Sequence, residues 1–363
     1  MKKMTTRQYA LLLPAIALLL SVIPSVLAEN LMVGFNRVTC PAQSDTLVSV
    51  PFMKHPVKDS GSLADAPNLA TLGQANLTLK EKGSWANNDL KDKYYIRFTS
   101  GVLAGRWYDI VGNTDTNITI DLNGDNSGGS LAQGDAFFVV EYWTLDTLFP
   151  PSSQHTIHVS SGTLGYQQKT KILIPNVTAT GINLPAEGVY FLTSQGWKQS
   201  LQGYPSAGNA LLPPGLPFII RHPSGVEATV FEPEGRVLRA ADSLGLVQSQ
   251  SVRQDNTVAV LRPVDVALKD SGLDQNAFVA STSHDAAGRK DELLVFDNSA
   301  AGFNKIPSAT YYKVGSAWFL EQGKGAENTN ADDVKALAAS AGLIIRKAQG
   351  ADSGAIWTNQ PTY

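Results

Sequence analysis

Asp121, Asn123, Asp125 and Ser127 put oxygen-bearing side chains at alternate positions, with Gly124 inside the run. A hard cation such as Ca2+ takes six or more oxygen ligands and needs a tight turn to gather them. This run, with Asp135 beyond it, is therefore the candidate metal site, and Ca2+ the one cofactor to expect. It starts like an EF-type loop and then departs: Ala132 stands at the twelfth position, where a bidentate Glu belongs. The flanking segments 118–120 and 137–138 are strand-like, and the same Asp, Asn and Gly residues suit a plain polar turn. Trp107, Trp197 and Trp318 are candidates of a second kind. An exposed indole stacks on sugar rings, whereas an indole at fixed spacing inside a hairpin serves packing.

Other chemistry-bearing residues carry weaker signals. His155 and His158 form the close histidine pair, but the surrounding residues alternate as in a strand, where a three-residue gap sends the rings to opposite faces. A shared metal does not follow. His55, His222 and His284 stand beside Pro or turn residues and are expected at the surface. Glu232 with Glu234, and Asp291 with Glu292, are neighbouring acids of the kind a glycosidase uses, but sequence does not fix the carboxyl separation that chemistry depends on. The chain has no His-Glu-x-x-His, no Gly-x-Ser-x-Gly, no phosphate-binding loop around Gly323-Lys324-Gly325 and no cysteine pair for zinc. Missing signatures lower the case for an enzyme without closing it. No catalytic residue is assigned.

The elements that must position these residues are strands. Segments 46–50, 94–98, 117–121, 136–140, 171–174, 218–220, 257–261 and 293–296 are short, rich in β-branched and aromatic residues, and bounded by Gly, Pro, Asn or Asp. One short helix is expected near 331–340, with Asn330 as cap and Gly342 as stop. Tyr190-Phe191 is followed after seven residues by Trp197, then Gly215, Phe218 and Ile219-Ile220-Arg221. Tyr311-Tyr312 is followed equally by Trp318, then Gly342 and Ile344-Ile345-Arg346. A looser third copy joins Tyr94-Tyr95, Trp107 and Gly134 to Phe137. The reading is an all-β protein of tandem small sandwich-like or barrel-like modules with internal repeats. The expected domains are 29–150 and 151–363. The second holds two copies, with a further split near 232, and Pro150-Pro151 marks the boundary.

Residues 1–28 have the form of a leader. Lys2, Lys3 and Arg7 precede an apolar run over 10–26, and Val26 and Ala28 give a small-residue cut before Glu29. Cleavage removes three of the 29 basic residues and none of the 32 acidic ones, taking the net charge from −3 to −6. No basic field is left for nucleic acid, and no second apolar run of spanning length follows, so no transmembrane segment is expected after cleavage. The single Cys40 has no internal disulfide partner, and its alternating neighbours predict a buried thiol in a strand. With 43% hydrophobic residues over 363 positions, a disordered or disulfide-stapled chain is excluded.

Several segments taken together resemble a known family. They are Gly34 to Arg37, Ser44 to Pro51, Trp143 to Pro150, and Phe296 to Lys305 with the Tyr311-to-Trp318 unit. In matching order, they are similar to an uncharacterised family of exported proteins found as many paralogues in verrucomicrobial bacteria. The resemblance covers most of the mature chain and brings no catalytic residues. It implies secretion, repeat construction and a role at the cell envelope. The functional expectation is a non-catalytic secreted or cell-surface protein of structural or adhesive type, whose partners are an envelope or extracellular glycan or copies of itself. The alternative is a secreted carbohydrate-binding module or carbohydrate-active enzyme.

Overall fold

The computed structural model describes residues 32–363 except 55, 70–72, 274–275, 323–327, 351–353 and 362. The expected leader, 1–28, lies outside the described residues, and so does His55. Seven of the eight segments expected as strands coincide with strands to within two residues, whereas 257–261 is strand only at its first two positions, the end of Gln254–Val258; the protein is mainly β. Among the described residues no helix is long and apolar enough to cross a membrane.

Three larger antiparallel sheets carry the fold. The first runs, edge to edge, Pro56–Ser62, Ala136–Glu141, Tyr94–Phe98, Trp107–Asn113, Asn117–Asp121 and Gln74–Thr78. The middle one runs Ser44–Val48, Phe218–His222, Lys171–Pro175, Ala186–Thr193 and Gly196–Gln199. The third runs Gln254–Val258, Leu343–Lys347, Glu292–Val295, Ala309–Val314, Ala317–Leu320 and Thr329–Asn330. If five strands of each sheet are numbered in chain order, all three sheets read 1-5-2-3-4, with a short extra strand at one end of the first and third. In the middle and third sheets a further strand before the first pairs with one after the fifth. These ribbons are Val38–Cys40 with Thr229–Phe231, and Asp242–Val247 with Gly354–Asn359.

Sheet membership therefore crosses the division at residue 150. Ser44–Val48, on the N-terminal side, pairs over its whole length with Phe218–His222, and the entire first sheet is inserted between the first and second strands of the middle one. The cause is side-chain burial: Thr46 and Val48 are wholly inaccessible in this position, and Val48 joins the core of Ile172, Trp197, Phe218 and Ile220.

The helix expected over 331–340 does not form. Its backbone bonds outward instead: Leu268 N donates to Val334 O at 3.0 Å and Val266 N to Leu337 O at 2.9 Å, while Asp332 Oδ1 accepts from Trp318 N at 2.7 Å. Leu337 and Ala336 are drawn into the third core, so the apolar spacing that suggested a helix face instead serves an irregular segment packed on that core. Among the described residues the one α-helix is a single turn, Leu145–Leu148, closed by reciprocal bonds between Thr144 and Thr147.

Each sheet has its own core around an indole: Trp85 in the first, Trp197 in the middle, Trp318 and Trp357 in the third. Three of these indole N–H groups donate to carbonyls, Trp85 to Thr114, Trp197 to Phe149 and Trp357 to Ser271. A smaller cluster of Met53, Tyr95, Phe138, Tyr142, Leu238 and Leu261 packs the first sheet against the chain that leads into the third.

Candidate functional site

The oxygen-rich run is a turn in which most carboxylates already have partners. Asp121 Oδ1 accepts from Asn123 N at 2.8 Å, and Asn123 Nδ2 donates to Asp109 Oδ2 at 3.2 Å. Asp125 caps the short 3-10 helix Asn126–Ser130 by accepting from Ser127 N at 2.7 Å. Its other oxygen takes Arg106 Nη1 at 2.5 Å and Tyr108 OH at 2.7 Å. Partial burial pushes the Asp125 carboxyl up, but the bonds from Ser127, Tyr108 and Arg106 outweigh this and hold it below the usual range. Arg106 thus supplies the positive charge that a cation would otherwise bring. Asp135 is buried and accepts from Ala132 N at 2.9 Å. Among the described residues no three or more His, Cys, Asp or Glu side chains are grouped to hold a metal.

The three indoles divide. Trp197 and Trp318 sit opposite Leu192 and Lys313 in equivalent two-strand hairpins, and each is 1% exposed. Neither presents a face to a sugar. Trp107 is not their counterpart: it opens the third strand of its sheet rather than lying in the fourth, and is half-buried with its ring edge-on to Tyr95 and Tyr142 at 5.7 and 6.3 Å. The aromatic pair Tyr94-Tyr95 belongs to the second strand, so the spacing to Trp107 bridges a different hairpin from the one it resembled.

The histidines are rearranged by the fold. His158 meets His222, not His155, at 5.5 Å between ring centroids. His222, expected at the surface, is wholly buried: Nδ1 meets Thr170 Oγ1 at 2.9 Å and Nε2 meets Thr229 Oγ1 at 2.8 Å. Burial, helped by His158, pushes its pKa down to about 4, so it is a neutral ring at pH 7. His284 is half-buried, with its ring 3.1 Å from Tyr312 OH. Cys40 is buried as its alternation predicts, and burial raises its thiol to about 11. Asp291 is also interior, bonded to the buried Lys347, while Glu292 pairs with Arg253 at 2.9 Å.

One place brings unpartnered polar groups beside an aromatic floor. A cleft of about 330 Å3 lies between the turn Leu145–Leu148, the loop 150–156 and the successive strands Thr229–Phe231 and Glu234–Arg236, which pair with Val38–Cys40 and Val33–Phe35. Trp143, Phe149 and Phe231 line its floor, and His155, Glu232 and Glu234 its rim. Trp143 is only half-buried. Its Nε1 donates to Phe52 O at 3.0 Å, which fixes the ring. Gly235 lets its strand approach: a Cβ there would stand 2.7 Å from Met53 O and 3.5 Å from Trp143 Cζ2. Glu232 is met by Arg37 at 3.3 Å.

In the sequence the two glutamates and the histidine stand apart, and Trp143 belongs to a segment that carries only the family resemblance. What joins them is the nonlocal pairing of Val33–Phe35 with Glu234–Arg236 and of Trp143 with Leu212. Comparison of the chain with protein-family models, with curated proteins and with solved structures finds no match.

Proposed function

We propose that this chain is a non-catalytic exported protein of structural or adhesive type, acting at the cell surface or outside it, whose β units arose by internal duplication. The leader-like N-terminus and the resemblance to an exported verrucomicrobial family support export. The observation that carries the scaffold reading is how the middle and third sheets lock each other. Arg221 forks onto Asp45 at 2.6 and 2.7 Å, and Asn304, from a loop of the third unit, accepts from the same guanidinium at 2.8 Å while its own N–H donates to Asp45 at 2.7 Å. Arg346 forks onto Asp255 at 2.7 and 3.0 Å, and Asn183, from the middle unit, accepts from it at 3.2 Å and donates N–H to Asp255 at 2.8 Å. Gly302 O takes Asp45 N, and Gly181 O takes Asp255 N, both at 2.9 Å.

Each unit's loop thus covers the exposed edge strand of the other, which removes two templates for uncontrolled strand addition and stiffens the whole. Such spending of charged side chains on internal bracing suits a protein that must persist outside the cell and hold partners on its loops. The test is to fractionate the producing cell and to incubate the purified mature chain with isolated envelopes and soluble polysaccharides. The expected result is a chain cleaved after Ala28 that sediments with envelopes and leaves polymers intact. Release of reducing ends, or an uncleaved cytosolic chain, would overturn the reading. The second reading, a secreted carbohydrate-binding module or carbohydrate-active enzyme, is favoured by the cleft at Trp143 alone.

A further inference from the structure

We propose that the cleft beside Trp143 is a saccharide-binding site, in which a pyranose ring lies against the indole while Glu234 and His155 take its hydroxyl groups. The proposal rests on the reading of the chain as a binding scaffold and adds the class of ligand. Sugars present two chemistries at once: a face of C–H bonds that packs on an aromatic ring, and a rim of hydroxyls that each donate and accept. The cleft offers both. Its aromatic surface is the half-buried Trp143, backed by the buried Phe149 and Phe231, and at about 330 Å3 it lies at the small end of pockets that hold small molecules.

The rim decides the ligand class. Among the described residues the Glu234 carboxylate and the His155 ring have no hydrogen-bond or ion-pair partner, although both line the cleft and are exposed. A carboxylate accepts from two neighbouring hydroxyls, and an imidazole both accepts and donates. A cationic ligand would meet Lys54, whose Nζ already lies 5.5 Å over the Trp143 ring, and Glu232 is met by Arg37. An anionic ligand would face Glu234 directly. A neutral, hydroxyl-rich ring is left as the complement. The floor is held ready: the Trp143 N–H is fixed on Phe52 O, and the Thr144–Thr147 capping pair orders the adjoining turn, so little ordering accompanies binding.

The experiment is calorimetric titration of the mature chain with soluble β-1,4-glucan, xylan, mannan and chitin oligomers and with α-glucans. One class is expected to bind with a Kd below about 1 mM, ordinary for a small open site. Glu234→Ala and His155→Ala, both on exposed side chains, should each weaken it about tenfold, and Trp143→Ala should abolish it. Because Trp143→Ala also removes an internal hydrogen bond, the two rim variants carry the test. Absence of binding by every oligomer, or equal affinity in both rim variants, overturns the site. So does displacement by tetramethylammonium with no response to sugars, which would identify a cation pocket. Envelope binding that survives loss of sugar binding leaves the adhesive reading standing. Sugar binding accompanied by chain cleavage sinks that reading and leaves the site.

Discussion

The two locked units differ tellingly at one residue. After Arg346 the third sheet has Lys347, 1% exposed in its side chain and bonded to the buried Asp291; after Arg221 the middle sheet has His222, bonded to Thr170 at the position corresponding to Asp291. One unit buries a compensated charge pair and the other a neutral pair at the same place. The neutral solution makes stability depend on pH. The unfolded ring takes a proton near its ordinary value of 6.5, whereas the folded ring takes one only near 4. Above pH 6.5 both states are neutral and the contribution is complete; between 6.5 and 4 only the unfolded state is protonated, so stability falls as the pH falls. We expect the thermal midpoint of wild type relative to His222→Asn to drop steadily over that window. A difference that stays constant from pH 7 to pH 4.5 would contradict a buried neutral ring. In the sequence, Pro223 marked His222 as a turn residue. Its actual place, between Thr170, 52 residues before it, and Thr229, 7 after it, leaves no local trace. Cys40 was legible because burial there follows simple alternation.

At the scale of elements, the reciprocal locks depend on two asparagines held at positive φ, 52° at Asn183 and 47° at Asn304, each following a glycine that is also at positive φ. Asn tolerates this conformation and offers its side-chain oxygen to the arginine. Asn304→Ala should lose both advantages, at about 1–3 kcal/mol in urea unfolding, while Asn304→Gly keeps the backbone freedom and should lose less. The hydrogen bonds from its backbone N–H persist in both. If alanine and glycine cost the same, the backbone conformation contributes nothing. The hydrogen bonds also raise the Arg221 and Arg346 pKa values above their ordinary level, so these guanidinium groups remain charged at any working pH. The strands themselves were readable, because β-branched runs bounded by turn residues point one way. The Gly-x-Asn turns were readable only as turns. Their partners, Asp45 and Asp255, stand 259 and 72 residues away, and periodicity carries no information across such gaps. The expected helix failed for the same reason: the apolar spacing over 331–340 was real, but the backbone N–H groups of Val266 and Leu268 and the third core claimed it.

The whole molecule follows from the insertion. The middle sheet takes its first strand from 44–48 and its fifth from 218–222, so it is incomplete until both ends of the first unit are in place. The first unit is tied in turn to the third by one buried ion pair: Arg97 Nη1 donates to Asp242 Oδ1 at 2.9 Å, with the two side chains 0% and 3% exposed. Asp242 also accepts from Leu261 N, and Arg97 Nη1 also donates to Gly105 O at 3.0 Å, while its Nε and Nη2 have no partner. Breaking a buried pair from one side leaves an uncompensated charge and costs about 3–5 kcal/mol. Wild type should therefore melt in a single calorimetric transition, because the reciprocal locks join the middle and third units and this pair joins the first to both. Asp242→Asn leaves the shape intact and strips the compensation from Arg97. The first unit should then unfold ahead of the others, giving two resolved transitions, whereas conservative loss of a surface pair such as Lys269→Gln, opposite the exposed Asp333, should leave one. Two transitions already present in wild type would mean that the inserted unit is a passenger on the scaffold, and not a part of its cooperative core.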